Sequence, residues 1–590
     1  MVKRELKTGT AFIVAAALAL TGCGDGGGGE TQSGRAAVSD DPESVEFTWL
    51  LDDGVENIYY EDYNDNPVVK YWKDMEWDAD GDGAGKKISV TFNTPPAGAQ
   101  SDNFNTLLGT GEYPDVMAMS YSSQNAQSLY EEGIVLDLTE YVENYMPNYK
   151  AWMQEHADKA AYMSNDGKYL GLYTVADVPE DPWGGFMYRR DWLVKYGKNP
   201  TSGEAFTGGW NADKTEWTDD VVFPSGGSDP VYISDWEWML GIFQEALAGE
   251  GIADGYAFQQ YSAGFLGSGD LNGSFGAPMC NYIDEDGTVK NGMASESARA
   301  YMQCMNHWYE QGWVNANFEE NVNDVFFMVD TAATYSGKVG LWYGLISQLG
   351  AAMAGEGLED LCVYGAAQPI NDRYGDDSCR NREPACFFQT DLVSSMICIT
   401  DKAKDKDIAT LCTAIDYFYG HEGGLLRTYG FSDEQQAQVQ DAFYNDNGFD
   451  GGVYTATEEN GATVYHIDPN RDIKNMGVPL NGIRLAGTSI NDSIDWGRDS
   501  VTQHGIDEMK KYIASAAVSS TITNQLTADQ STEVSTINAN LTTYLSQVVP
   551  NFIIGREDID DDGKWQEYCD TIAGYGTEEW VSYLNAIVGK

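Results

Sequence analysis

The sequence predicts an α/β protein built from more than one domain. From Val45 onward, short β-rich runs alternate with longer amphipathic segments, which is the pattern of α/β units. The 590 residues allow roughly two to four domains at about 150 residues each. Hydrophobic residues make up 42% of the chain and include 16 Trp and 36 Tyr, enough to fill large cores and to exclude disorder throughout.

The elements follow in order. Val45–Leu51 reads as a strand, the segment ending in Val68–Trp72 as a helix, and Ile88–Phe92 as the next strand. Asn103–Leu108 starts a helix that Gly109 and Gly111 stop, and 114–119 (PDVMAM) is then a strand. Asp137-Leu138-Thr139-Glu140 resembles a capping box at a helix start, and Pro147 ends that helix. After the Asn165-Asp166-Gly167 turn, Lys168–Leu172 reads as a strand leaving the first domain. We find no internal repeats.

The N-terminal segment stands apart from the fold. Lys3, Arg4 and Lys7 precede the ten-residue apolar run Ala11–Leu20, too short to span a hydrocarbon core of about 30 Å but suited to a signal peptide. Leu20-Thr21-Gly22-Cys23 resembles a bacterial lipobox, which implies a signal peptide over 1–22 and diacylglycerol on the Cys23 thiol. The Gly-rich stretch through residue 44 reads as a flexible tether. The expectation is a lipoprotein, palmitate-bearing at Cys23, on the extracytoplasmic face of the cell membrane.

Charge and motifs narrow the function classes. With 35 Lys+Arg against 92 Asp+Glu, the net charge of −57 repels phosphate, and no concentrated basic patch offsets it, so nucleic acid is not an expected partner. Eight cysteines besides Cys23 permit disulfides without fixing connectivity, though Cys398 and Cys412 sit in apolar runs that suit buried thiols. The five histidines show no H-E-x-x-H spacing, and there is no G-x-S-x-G elbow or Walker loop. The expectation is therefore not an enzyme. A secreted glycosidase-like enzyme stays as the alternative, since 92 acids guarantee coincidental carboxylate pairs.

A set of motifs then appears in a telling order: TLLGTGEYPDVMAM, LYEEGIVLDLTEYVENYMPNY, GKYLGLY, MYRRDWLVKYG, WYEQGWVN, GKVGLWYG, DYFYGHEGGLLRTYG and FIIGREDIDDDGKWQEY. Together they resemble the extracellular solute-binding lipoproteins (family 1) of carbohydrate ABC importers, in particular the large Gram-positive oligosaccharide-binding type. The resemblance covers almost the whole mature chain. It implies a two-lobed periplasmic-binding-protein-like fold with hinge strands between the lobes. Lobe one would comprise 45–168 plus about 363–430, and lobe two 169–362 plus about 431–590. It further implies a monomer that captures a carbohydrate, a neutral oligosaccharide over a peptide or uronate, and delivers it to membrane permease subunits.

Candidate ligand-binding residues come from strand ends, where open α/β sheets bind ligands. Asp52 and Asp53, with Tyr59 and Tyr60 behind them, follow the first strand and could accept paired sugar hydroxyls. Ser120-Tyr121-Ser122-Ser123-Gln124 follows the 114–119 strand. There Tyr121 could stack on a sugar face and Gln124 bond its hydroxyls, in keeping with the loop's role in the family. Of the adjacent Trp342 and Tyr343, alternation on a strand sends one to the core and leaves the other for the cleft. Trp183, Tyr261 and Arg484 complete the candidates, while Arg189-Arg190-Asp191-Trp192 is a structural landmark of the family with Asp191 as a helix cap.

One cofactor reading remains. Asp78-x-Asp80-x-Asp82-Gly83 matches the first half of an EF-hand Ca2+ loop, but position twelve is Ser89 rather than Glu. Asp558-x-Asp560-x-Asp562 matches less well, ending at Cys569. Calcium at Asp78, Asp80 and Asp82 is the one metal expectation.

Overall fold

The computed structural model describes residues 43–52, 62–96, 98–260, 271–320, 331–385, 392–439, 452–468, 485–512 and 518–589. Its frame is two mixed sheets, each wrapped by helices. In the first lobe β1 (Glu43–Leu50) pairs in parallel with β2 (Lys86–Asn93) over eight residues and with β3 (Val116–Ala118). The next strand, β4 (Leu172–Ala176), belongs to the same sheet. The second lobe is led by β5 (Gly184–Arg189), with hairpins β6 (Gly208–Trp210)–β7 (Trp217–Asp219) and β9 (Asn281–Ile283)–β10 (Val289–Asn291) outside its sheet. Strands β8 (Tyr256–Gln259), β11 (Val339–Leu345) and β12 (Val363–Ala366) complete that sheet in the order β12-β5-β11-β8. The chain then returns through β13 (Val393–Ile399), adds a small sheet of β14 (Tyr454–Glu459), β15 (Ala462–Ile467) and β17 (Ile494–Asp495), and places β16 (Thr488–Ser489) on the first sheet. The first sheet therefore runs β16-β4-β13-β3-β1-β2.

Burial explains why these runs are strands. β2 alternates buried and exposed residues from Ile88 on, one face against the core and one against solvent. β4 and β5 are buried on both faces, and apart from Thr174 and the terminal Arg189 they are apolar, aromatic or glycine. The helices Pro67–Asp74 and Ile408–Asp416 cover the first sheet, with Trp72 wholly buried and its indole N–H donating to the Ala414 carbonyl at 3.1 Å. Over the second sheet lie Ile233–Glu250, Glu296–Glu310 and the 26-residue Ala528–Ile553, around buried Trp236 and Trp308.

Strand pairing moves the expected lobe boundaries. β4 lies past residue 168 yet belongs to the first sheet, whereas β12, expected in lobe one, pairs with β5 in the second. β16 and the β14–β15 hairpin, expected in lobe two, sit on lobe one, where Val453, Tyr454 and Ile467 pack on Leu425 and Tyr429 of His421–Tyr429. An apolar run reads alike on either sheet, and only its hydrogen-bonded neighbour selects the lobe. The strand expected at Lys168–Leu172 likewise starts only at Leu172. Pro147 both closes the helix Thr139–Tyr145 and opens Pro147–Glu155.

The chain passes between the sheets three times: after β4 (177–183), after β12, and after β16 (490–499). The first and third are stitched together. The Asp177 carboxylate accepts from the Asn491 and Asp492 amides, and Asp181 accepts from Arg498 and Lys510, both at 2.5 Å. Burial raises the Asp181 carboxyl, yet the two cations hold it below its usual range.

Candidate functional site

On lobe one β1 and β3 are locked side by side from the amino end of β3 to the carboxyl ends of both strands. Asp115, almost fully buried, accepts from the Thr48 amide at 2.7 Å and hydroxyl at 2.8 Å, and from Lys406 at 2.7 Å. Beyond the carboxyl ends of the two strands, Asp52 accepts from the Ser120 amide at 3.1 Å and hydroxyl at 2.6 Å. Asp52 thus holds the 120–125 loop at the strand ends. Within that loop Ser122 donates to the Gln124 carbonyl at 2.6 Å, Gln124 donates to Glu132 at 2.8 Å, and Asn125 caps Ala126–Glu131.

Facing this loop is the start of the C-terminal helical layer, Ser520–Thr523 and Ala528–Ile553. Its 524–526 turn reaches lobe one through four hydrogen bonds. Asn524 donates to the Tyr173 hydroxyl at 3.2 Å and Gln525 to the Tyr162 carbonyl at 3.1 Å. In return Asn165 donates to the Asn524 carbonyl at 3.0 Å and Asn125 to the Leu526 carbonyl at 2.8 Å.

Between loop and helices lies a cavity of about 480 Å³. Eight serines, among them Ser120, Ser394, Ser395 and Ser531, line it with Thr523, Gln124, Asn125 and Asn524. Met119, Met396, Leu526 and Val534 supply apolar surface, and no charged side chain lines it among the described residues. Hydroxyls and amides both donate and accept, and no fixed charge favours an ion. Such a wall suits a ligand rich in neutral hydroxyl groups.

The sequence candidates divide on this geometry. Asp52, Ser120 and Gln124 are brought together, but the Asp52 carboxylate positions the loop through Ser120. Tyr121 is half-buried, takes the Ser101 hydroxyl on its carbonyl at 3.3 Å, and does not line the cavity. Trp183 and Tyr343 meet edge to face at 6.3 Å beside the first crossing, and Tyr343 is half-buried. The ligand-facing reading of Trp342 is corrected. It is 1% exposed, packs with Met187, Val339 and Ile506, and donates its indole N–H to Gln348 at 3.2 Å. Alternation on β11 therefore leaves Tyr343 as the outward member. Asp53, Tyr59, Tyr60, Tyr261, Arg484 and Cys23 lie outside the described residues.

Arg189 and Arg190 are spent on structure. Arg189 forks onto Asp191 and donates to the Gly337 carbonyl. Arg190, 2% exposed, forks onto Asp219 with both bonds at 2.7 Å. A further cavity of about 660 Å³ around Arg189, Lys195 and Glu250 lies at the end of the second sheet away from the crossings.

In the 78–83 loop, where calcium is expected, the three carboxylates make hydrogen bonds and an ion pair of their own. Asp78 accepts from the Asp82 and Gly83 amides, Asp82 from the Ala84 amide, and Asp80 pairs with Lys86. Ser89, at position twelve, is already part of β2. The seven described cysteines are free thiols, and burial pushes the thiols of Cys398 and Cys412 up.

No protein-family model matches the chain, and no curated protein matches it by sequence. Solved structures do match over nearly its full length. The alginate-binding protein AlgQ2 is 16% identical, covering 94% of this chain and 99% of its own, with a TM-score of 0.61. The fold is that of the two-lobed solute-binding proteins. The substrate-binding protein FusA of an S. pneumoniae ABC transporter, in complex with kestose, is 13% identical (93% and 99% covered, TM-score 0.61). An HMO-binding ABC-transporter solute-binding protein from Bifidobacterium longum infantis is 15% identical (93% and 99% covered, TM-score 0.62).

The sequence reading missed the second wall. Ser394 and Ser395 are exposed in an otherwise buried strand, and serine, threonine and asparagine crowd 519–536. Two polar residues in succession on a core strand are the signal that could have found lobe one's Ser394 and Ser395.

Proposed function

We propose that this protein is a substrate-binding protein of an ABC importer, which closes its lobes on a neutral oligosaccharide and presents it to membrane permease subunits. The observation that carries the reading is the uncharged, hydroxyl-lined cavity between the lobes of a solute-binding fold. Ser/Thr hydroxyls and the Asn524 and Gln124 amides bond the ligand's hydroxyls, while Met119, Met396 and Val534 meet its C–H faces. Trp183 and Tyr343 offer a stacking surface beside the crossings. Closure follows from differential affinity, since the ligand touches both lobes only when they are shut. The importers named for the similar structures support an extracytoplasmic location, and Cys23 supplies the lipid anchor. No described helix is long and apolar enough to cross a membrane.

A thermal-shift screen of the chain lacking 1–23 against neutral oligosaccharides, uronates and peptides tests this. A ligand at 100 times its Kd adds about 2.7 kcal/mol of stability, a clear rise in Tm. A selective rise with neutral glycans is the expected outcome. A selective rise with uronates or peptides, or hydrolysis of any glycan, overturns it.

A further inference from the structure

Away from the cleft, three ligating side chains converge on one point of lobe two. His504 and Glu508 stand four residues apart on the Ser500–Lys510 helix and so share one face. Asp229, from the loop ahead of the Ile233–Glu250 helix, meets them, and the Asp229, His504 and Glu508 donor atoms all lie within 4.8 Å of one another. His504 Nε2 already sits 2.9 Å from Asp229 Oδ1. Glu508 is 5% exposed, and Asp229 and His504 are half-buried.

We propose that Asp229, His504 and Glu508 form a zinc-class divalent metal site. One imidazole and two carboxylates are a donor set for Zn2+, whose bonds of about 2.0–2.2 Å place ligand atoms roughly 3–4 Å apart. Small side-chain rotations bring the three there. The surroundings are built to hold the donors. Ser228 donates its hydroxyl to Asp229 Oδ2 at 2.8 Å, as a second shell does. Arg190 holds the Ser228 carbonyl, and Asp235 accepts from the Ser225 and Val231 amides, fixing the loop on both sides of Asp229. Lys511, half-exposed, pairs with Glu508 and can swing to solvent when the ion enters. Arg190 is a nearby cation, but its charge is offset by the fork on Asp219. Bound metal would clamp the helix that follows the third crossing onto lobe two.

The test titrates the full mature chain, stripped with chelator, with Zn2+ in about 1 M salt. There the Debye length of ~3 Å suppresses diffuse binding by the acidic surface. Calorimetry should show one saturable site. His504→Ala and Glu508→Gln should each weaken it at least about tenfold, and Ser228→Ala by about tenfold, the range of second-shell losses. Co2+ in the wild type should give visible bands that His504→Ala removes. Glu508→Gln keeps the shape and the Lys511 contact, so it guards against misfolding. His466→Ala, which alters the exposed Glu459–His466–Asp495 group, should change nothing. Absence of saturable binding, wild-type affinity in both ligand variants, or loss on His466→Ala instead would overturn the site.

Discussion

Asp416 gives lobe one a stability that falls as pH rises toward neutrality. The carboxylate is fully buried and caps Pro147–Glu155, accepting from the Asn148 amide at 3.1 Å and the Tyr149 amide at 3.0 Å. Burial raises its pKa from 3.8 to about 7, more than those donors lower it. In the unfolded chain the group ionises near 3.8, so between there and about 7 the folded state holds a proton that the unfolded state has lost. Stability is then full below pH 4 and drains away up to about pH 7. The total is ~4 kcal/mol at roughly 1.36 kcal/mol per tenfold change in proton affinity. Asp416→Asn removes the titration. Its amide nitrogen cannot accept from the second backbone N–H, so it starts about 1–3 kcal/mol below wild type at pH 4. Urea unfolding of both proteins from pH 4 to 8 should show the curves converge and cross. A wild-type advantage that stays constant across that range would refute the buried, protonated cap.

Other residues separate packing from binding. Trp342→Ala should cost about 3–5 kcal/mol of unfolding free energy, read by denaturant titration. Tyr343→Ala should instead weaken glycan binding by about 1–3 kcal/mol, by analogy with stacking on bases, and lower the stability less than Trp342→Ala does, since its ring is only half-buried. Ser395→Trp puts a large ring into the 480 Å³ cavity and should reduce glycan affinity at least about tenfold in calorimetry while the circular dichroism stays that of wild type. Arg190→Ala strands the buried Asp219 carboxylate, which Arg190 holds below its usual range against burial, and should destabilise the protein by about 3–5 kcal/mol.

The residues show why some of this was legible and some was not. Periodicity and turn residues act within a few positions of the chain, so β1, β2 and β3, and the helix stopped at Gly111 with its φ of +71°, stand close to where the sequence put them. Lobe membership is a long-range property. Nothing local in VYGA marks β12 as a partner of β5, or in Thr488–Ser489 as a partner of β4. The same distinction governs the site. The 120–125 loop was legible because it follows a strand end, where ligands gather. The opposite wall was not, because 519–536 reads as an ordinary capped helix until tertiary packing swings it across Tyr173.

Trp342 and Tyr343 carry the same point to a single pair of side chains. Alternation required that one turn inward, but both faces of β11 are covered over most of its length, so sequence period could not choose between them. The choice was made by Gln348, which offers the indole N–H a buried acceptor, and by Phe186 and Trp183, which take Tyr343 edge-on. A tryptophan can be buried where its one donor is satisfied, and that satisfaction comes from six residues along the chain. The outward tyrosine keeps its ring on the crossing between the lobes. Trp183 and Tyr343 therefore stay at the crossing as the stacking candidates while Trp342 belongs to the core, so substitutions at 343 and at 342 separate loss of binding from loss of fold.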